Sequence, residues 1–250
     1  MSVQLSVTII TFNEEKNIER CLKSVQSIAE EIVVLDSFSK DRTEAICKEY
    51  NVRFEQHAFD GHIQQKNRAI QHCKHDYVLS LDADEALSED LIQSIQNVKN
   101  NWGNSEGFYM NRLTNYCGKW IKHCGWYPDT KLRLFKKDCG KWTGTNPHDR
   151  YEVENNNNTK KLKGDLLHYS YYTIKQHLDQ VNYFTDILAK EQYQTKSAGI
   201  LKILVSPLIK FIKDYIIKLG FLDGYYGFVV CSISSFATFI KYAKIRQLQK

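Results

Sequence analysis

The chain has 250 residues, 42% hydrophobic and 25% charged, with twelve glycines and three prolines. That composition excludes a disordered or fibrous protein and leaves ample chain for a buried core. The formal charge of +5 is unevenly placed: from Lys196 onward nine Lys/Arg meet only Asp214 and Asp223, while residues 1–195 are near neutral.

"SVTIITF" (6–12) is uncharged and rich in β-branched residues, which predicts a buried strand. In the following "NEEKNIERCLKSVQSI", Ile18, Cys21, Leu22, Val25 and Ile28 fall at helical spacing, with Asn13 the expected N-cap. "EIVVLDS" (31–37) repeats the strand pattern and "SKDRTEAICKEY" (39–50) the helical one. "VRFEQ" (52–56), "GHIQQKNRAIQHC" (61–73) and "DYVLSLDAD" (76–84) read as strand, helix and strand. Such alternation with short connections predicts an α/β fold with a mostly parallel sheet and crossover helices. Ligands in open sheets of this kind bind at the carboxyl ends of strands, where Asn13, Asp36 and Asp82 stand.

After a helix over 88–98 the pattern changes to short strands (107–113, 130–136, 160–171). A long helix over 172–192 is expected to turn Ile174, Leu178, Val181, Phe184 and Ile187/Leu188 inward. We read residues 1–195 as a catalytic domain and 196–250 as a separate helical tail. "SPLIKFIKDYIIKLGF" (206–221) offers Ser206 as a cap and Pro207 at the first helical position. Lys210, Lys213, Asp214 and Lys218 share one side of that helix, a pattern suited to a membrane interface. "YYGFVVCSISSFATFI" (225–240) is only sixteen residues, short of the ~20 needed to span a bilayer. The tail is therefore expected at a membrane surface. The plainer alternative is packing on the catalytic domain or a second subunit, which leaves oligomerisation through these helices open. Its basic residues sit among aliphatics rather than on a polar stripe, which argues against nucleic acid.

Seven cysteines without a Cys-x-x-Cys pair indicate reduced thiols and no zinc site. The N-terminus lacks a signal-peptide pattern, so a cytoplasmic location is expected. His62, His72 and His75 read as surface or capping residues.

The chemistry concentrates at "LDADE". On an extended strand Asp82 and Asp84 point the same way, and two hard oxygen donors suit a divalent cation that also binds phosphate. Alone, the segment reads equally well as a polar strand end followed by a helix N-terminus. It is not alone. "TFNEEKNIERCL", "VVLDSFSKDRT", "QKNRA" and "VLSLDADE", followed by "GWYPDTKLRLF" (125–135), "PHD" (147–149) and "LLHYSY" (166–171), together resemble the family 2 glycosyltransferases of the GT-A fold. The subgroup that fits best is the small lipopolysaccharide-core β-glucosyltransferase type.

The resemblance implies roles. Thr11, Asn13 and Glu14 would contact the donor nucleotide, Asp36 its uracil or ribose, and Lys66 and Arg68 its phosphates. Asp82-Ala83-Asp84 would be the DXD motif, with Asp84 ligating Mg2+ or Mn2+ and His168 completing the shell. Asp149 would be the general base, with His148 beside it contacting the acceptor; Trp126 and Tyr127, aromatic rings between a Gly and a Pro, read either as simple core or as a sugar-stacking acceptor loop. Two positions depart from the family pattern: Phe38 replaces a glycine, and Asp149 stands where relatives carry Glu. The implied activity is inverting transfer of a hexose, glucose from UDP first among the candidates. The acceptor would be a glycan or glycolipid such as lipopolysaccharide core, at the cytoplasmic face of a bacterial inner membrane. A sugar-phosphate nucleotidyltransferase is the first rival, but it would show a Gly-rich basic loop where "TFNEEKN" is acidic. A non-catalytic membrane-docked scaffold is the second.

Overall fold

In the computed structural model, which describes residues 2–145, 148–154 and 158–249, the strand–helix alternation forms one sheet edge to centre. Strands β1 (Leu5–Thr11), β2 (Glu31–Asp36), β3 (Arg53–Gln56) and β4 (Tyr77–Asp82) run parallel in the order β3-β2-β1-β4. Helices α1 (Ile18–Val25), α2 (Thr43–Glu49) and α3 (His62–Gln71) make the crossovers. Ile18, Cys21, Leu22, Val25 and Ile28 are buried, as their spacing predicts. Leu5, Val7, Ile9, Leu79 and Leu81 are fully buried too, because helices cover the sheet and the central strands need no polar face. Register places Thr11 opposite Asp36 and Ile10 opposite Asp82, which levels three strand ends at one rim.

The second half of the sheet is antiparallel. After β5 (Glu85–Leu87) and α4 (Glu89–Asn100) come β6 (Gly107–Tyr116), β7 (Lys119–Ile121), β8 (Asp129–Lys136), β9 (Gly140–Thr145), β10 (His148–Val153) and β11 (Thr159–Tyr171). β8 pairs with β4 and β6, and β11 with β5. β9 and β10 form a separate two-stranded ribbon.

Residues 1–112 with 129–168 make one compact unit, and 113–128 with 169–250 a second. In the second, α5 (Ile174–Gln192), α6 (Ile200–Ile212) and α7 (Gly224–Leu248) pack together, with a π-helical turn (Lys213–Ile217) and a 3-10 turn (Gly220–Asp223) between the last two. All seven cysteines are unpaired thiols.

Several local expectations are corrected. Asn13 is not a helix cap. It takes a left-handed conformation (φ 55°), and α1 starts only after a turn over 14–17. The helix read over 39–50 begins at Thr43, because residues 37–42 are held as a loop described below. The inward seam of α5 runs through His177, Thr185 and Ala189, while Leu178 is 41% exposed. Small residues on that seam admit α7, whose Lys244 donates to Thr185 Oγ1 (2.9 Å) and whose buried Ile245 packs on Ala189. α6 starts at Ile200, so Pro207 lies inside it rather than at its first turn, and Ser235 Oγ donates to the Pro207 carbonyl (2.7 Å). α7 has 25 residues rather than sixteen, and segment 220–248 is long and apolar enough to cross a membrane by length and composition.

His177 carries a testable consequence. It is 4% exposed, 3.1 Å from the Tyr116 hydroxyl, and burial pushes its imidazole down from 6.5 to about 4. Between those values the unfolded chain binds a proton that the folded chain refuses. Stability should therefore fall as pH drops from 6.5 and stop falling near 4, a loss on the order of 3 kcal/mol in this unit. Urea melts of wild type and His177→Gln at pH 7 and pH 4.5 check this. An equal acid loss in both proteins would assign the effect elsewhere.

Candidate active site

The rim begins with two interlocked loops. The Asn13 N–H donates to Ser39 Oγ (2.8 Å), Asn13 Oδ1 accepts from the Lys40 N–H (2.7 Å), and the Glu14 N–H donates to Thr43 Oγ1 (2.8 Å). Asp36 is fully buried beneath them, accepting from the Ser39 N–H (2.8 Å) and Gln56 Nε2 (3.2 Å). Phe38 adopts φ 62°, the conformation a glycine takes without strain, so the loop forms despite the substitution. Thr11 is buried at the foot of the loop. Burial pushes the half-buried Glu14 carboxyl up to about 7, helped by the charges of Asp84, Asp41 and Asp82.

Strand β4 ends at Asp82, so the backbone turns before Asp84 and the two aspartates do not share a face as an extended strand would dictate. Each finds its own partner. Asp82 meets Lys66 Nζ (3.0 Å) and an Arg133 amino group (2.9 Å). Burial works to raise its carboxyl, but these two cations outweigh burial and hold it well below the usual carboxylate range. Asp84 Oδ2 lies 3.2 Å from His168 Nε2. Burial again works to raise Asp84, and His168 prevails in lowering it. The antiparallel pairing of β5 with β11 sets His168 opposite Glu85, which is how a residue so distant in sequence reaches the motif. Ala83 is buried between them, its N–H donating to the Ile10 carbonyl (3.2 Å).

Lys66 is the hub. It is 2% exposed, projects from α3, and also donates to Asp149 Oδ2 (2.7 Å), which β10 brings in from the ribbon. Its ammonium lies 4.5 Å from the Trp142 ring centroid, and the Arg133 guanidinium lies 5.2 Å from the same ring. Asp82, Lys66, Asp149, Arg133, Arg112 and Trp142 line a cavity of about 460 Å3, a size ordinary for a ligand pocket.

Not every expected residue joins this group. Arg68, two positions beyond Lys66, faces the other way on α3 and is paired with Asp60 (2.9 Å) and Gln65 (2.8 Å). Trp126 belongs to the second unit, in an aromatic cluster with Tyr116, Tyr171 and His177. Tyr127, beside it, is half-buried in the same unit. The side chain of His148 lies outside the described residues. Among the described residues no group of three or more His, Cys, Asp or Glu side chains converges as a complete metal cage. Asp84 and His168 form a two-ligand set of O and N donors, which fits a cation completed by phosphate oxygens and water.

The family model for glycosyl transferase family 2 matches residues 6–161, more than half of the chain. The chain belongs to this family. A glycosyltransferase without a defined substrate from Rickettsia bellii is 30% identical over 267 residues, covering 99% of this chain and 88% of the relative. The lipopolysaccharide core biosynthesis glycosyltransferase LpsC of Rhizobium meliloti is 26% identical, covering 97% and 92%. Among solved structures, the mannosyltransferase PcManGT of Pyrobaculum calidifontis, in complex with GDP-Man and Mn2+, has a TM-score of 0.56 at 12% identity, covering 100% and 89%. That likeness shows the GT-A fold, and the family membership makes the protein a nucleotide-sugar-dependent glycosyltransferase.

The motif pattern of this glycosyltransferase includes Glu85 and Arg133 without giving either a role and does not reach Trp142. Arg133 is 3% exposed and donates to both Asp82 and Glu85 (2.9 Å each), and the Glu85 carboxylate is itself fully buried. The available signal is "KLRLFK": an arginine inside an otherwise apolar strand is seldom buried unless it is paired.

Proposed function

We propose that this glycosyltransferase is an inverting, metal-dependent hexosyltransferase acting on a membrane-associated glycan or glycolipid, with UDP-glucose the first donor to test. The observation that carries the reading is the convergence, in one unit, of Asp84 with His168 and of Lys66 with Asp82 and Asp149. The Mn2+ in PcManGT and the lipopolysaccharide core biosynthesis in the name of LpsC support the cation and the acceptor class respectively.

Asp84 and His168 would hold the cation, which when bound offsets the charge growing on the departing diphosphate. The remaining steps belong to side chains. Lys66 supplies an ammonium that a donor phosphate competes for, and drawing it away from Asp149 Oδ2, 2.7 Å distant, leaves that carboxylate oxygen open to the acceptor hydroxyl. Asp149 then takes the proton of the acceptor hydroxyl as that oxygen attacks the anomeric carbon. The bond to the diphosphate breaks on the opposite face, so one displacement inverts the anomer. Asn13, Glu14 and the loop held by Asp36 would receive the nucleotide, with Arg68 outside the contact set.

Nucleotide release from a panel of UDP-, GDP- and other nucleotide-sugars, with Mg2+ or Mn2+ and with chelator, tests the reading. Release from one donor, abolished by chelator and reduced at least about 100-fold in Asp84→Asn, is the expected result. Full turnover by Asp84→Asn would remove the metal role assigned here. Pyrophosphate formation from a sugar phosphate and a nucleoside triphosphate would replace the whole reading with a nucleotidyltransferase.

A further inference from the structure

We propose that the outward apolar side of α6, continued by the turns that follow it, seats on the surface of an anionic lipid bilayer. This deepens the acceptor reading above by assigning the contact surface, and it rests on observations within the second unit alone.

α6 is patterned inside out. Its buried stripe is narrow, with Ile203 and Pro207 on it. At about 100° per residue the opposite arc holds Leu201, Leu204, Leu208 and Ile212, each between 54% and 75% exposed. Ile217 (71%) and Leu222 (55%) extend it through the turns. A run of this length exceeds the scattered apolar residues expected on a soluble surface.

The charges name the occupant. Lys202 and Lys213, both exposed, lie along one edge of the arc. The two acids in 196–249 are spent internally: Asp214 is buried against Lys210 (2.6 Å) and Lys218 (3.3 Å), and Asp223 against His123 (3.0 Å). The segment therefore shows solvent apolar and cationic side chains but no carboxylate. That combination matches anionic headgroups over acyl chains. A second copy fits poorly, since a two-fold contact would set the same lysines against each other. A spanning helix fits poorly too. One side of α7 is committed to Val230, Cys231 and Ile245, which are buried inside the unit, and Lys244 in its last turns is tied to Asp186 (2.7 Å).

The test is sedimentation of the full chain with phosphatidylcholine vesicles, with and without phosphatidylglycerol, in the absence of sugar donor and acceptor. Partition onto the phosphatidylglycerol vesicles at least about tenfold stronger than onto phosphatidylcholine alone, weakened by salt, is expected. Leu204→Glu/Leu208→Glu should lose at least about tenfold of it while keeping donor-dependent nucleotide release and the helical circular dichroism. Lys202→Glu/Lys213→Glu should abolish the preference for anionic lipid. Equal binding to both vesicles that resists alkaline carbonate would overturn the proposal in favour of a spanning helix. Dimerisation broken by the leucine variant, without vesicle binding, would assign the face to a second copy. No binding and no dimer would refute a lipid seat while leaving the sugar chemistry to its own assay.

Discussion

Asp149→Asn should lower kcat about 100- to 10,000-fold while nucleotide-sugar affinity changes by no more than about threefold. The asparagine is isosteric and can still accept a hydrogen bond from Lys66, so the cavity keeps its shape while losing the carboxylate proposed above to take the acceptor proton. Turnover at saturating donor, with affinity read separately by calorimetry, makes the distinction. A variant that binds donor normally and turns over within a few-fold of wild type would eliminate Asp149 as the base. Lys66→Met separates the base from its partner: it removes the competitor for Asp149 and also the cation on Asp82. Weaker donor binding is therefore expected there, in contrast to Asp149→Asn.

Arg133→Met should destabilise the first unit by about 3–5 kcal/mol, a large share of an ordinary folding free energy. The guanidinium is the nearest cation to Glu85, whose carboxylate has no contact with solvent, and it also serves Asp82. Methionine fills the volume and leaves Glu85 with the Asp82 backbone N–H (3.0 Å) and, as its remaining cation, Arg112 3.7 Å away. Adding Glu85→Gln removes the stranded charge and should restore more than half of the loss. Denaturant melts of the four proteins of that cycle measure the coupling. A loss under about 1 kcal/mol for Arg133→Met, or no recovery in the double variant, would show that the pair is not what holds these carboxylates.

The parallel half of the fold was legible because its strands are apolar on both sides and its helices carry a clean 3.6-residue period; Ile18, Cys21, Leu22 and Val25 are all buried where that period puts them. The later helices were less legible, because the same rule breaks there. α5 buries His177 and Thr185 in place of its larger aliphatics, and α6 buries one stripe and leaves a wider apolar arc outside, so hydrophobicity ceased to mark the inside. At the site, the residues came from motifs but their arrangement did not. Whether Asp82 and Asp84 share a direction depends on where β4 stops, and pairing with Lys66 and Arg133 is invisible to any local window. Arg68 illustrates the limit: it is two residues from Lys66 and nearly opposite on the helix.

The pairing of β5 with β11 has a further meaning for the life of the chain. Asp84 and His168 stand far apart in sequence, and the strand that carries His168 is the last one of its unit to be synthesised. A polypeptide that has left the ribosome only through β10 possesses the acidic motif but not its histidine. The pair therefore exists only after the sheet's final strand is laid against the three-residue β5. Contacts of such long range close late, since loop entropy must be met before they return anything. Any ligand that needs both side chains thus discriminates chains that have completed this sheet from those that have not, and its uptake is a read-out of that closure.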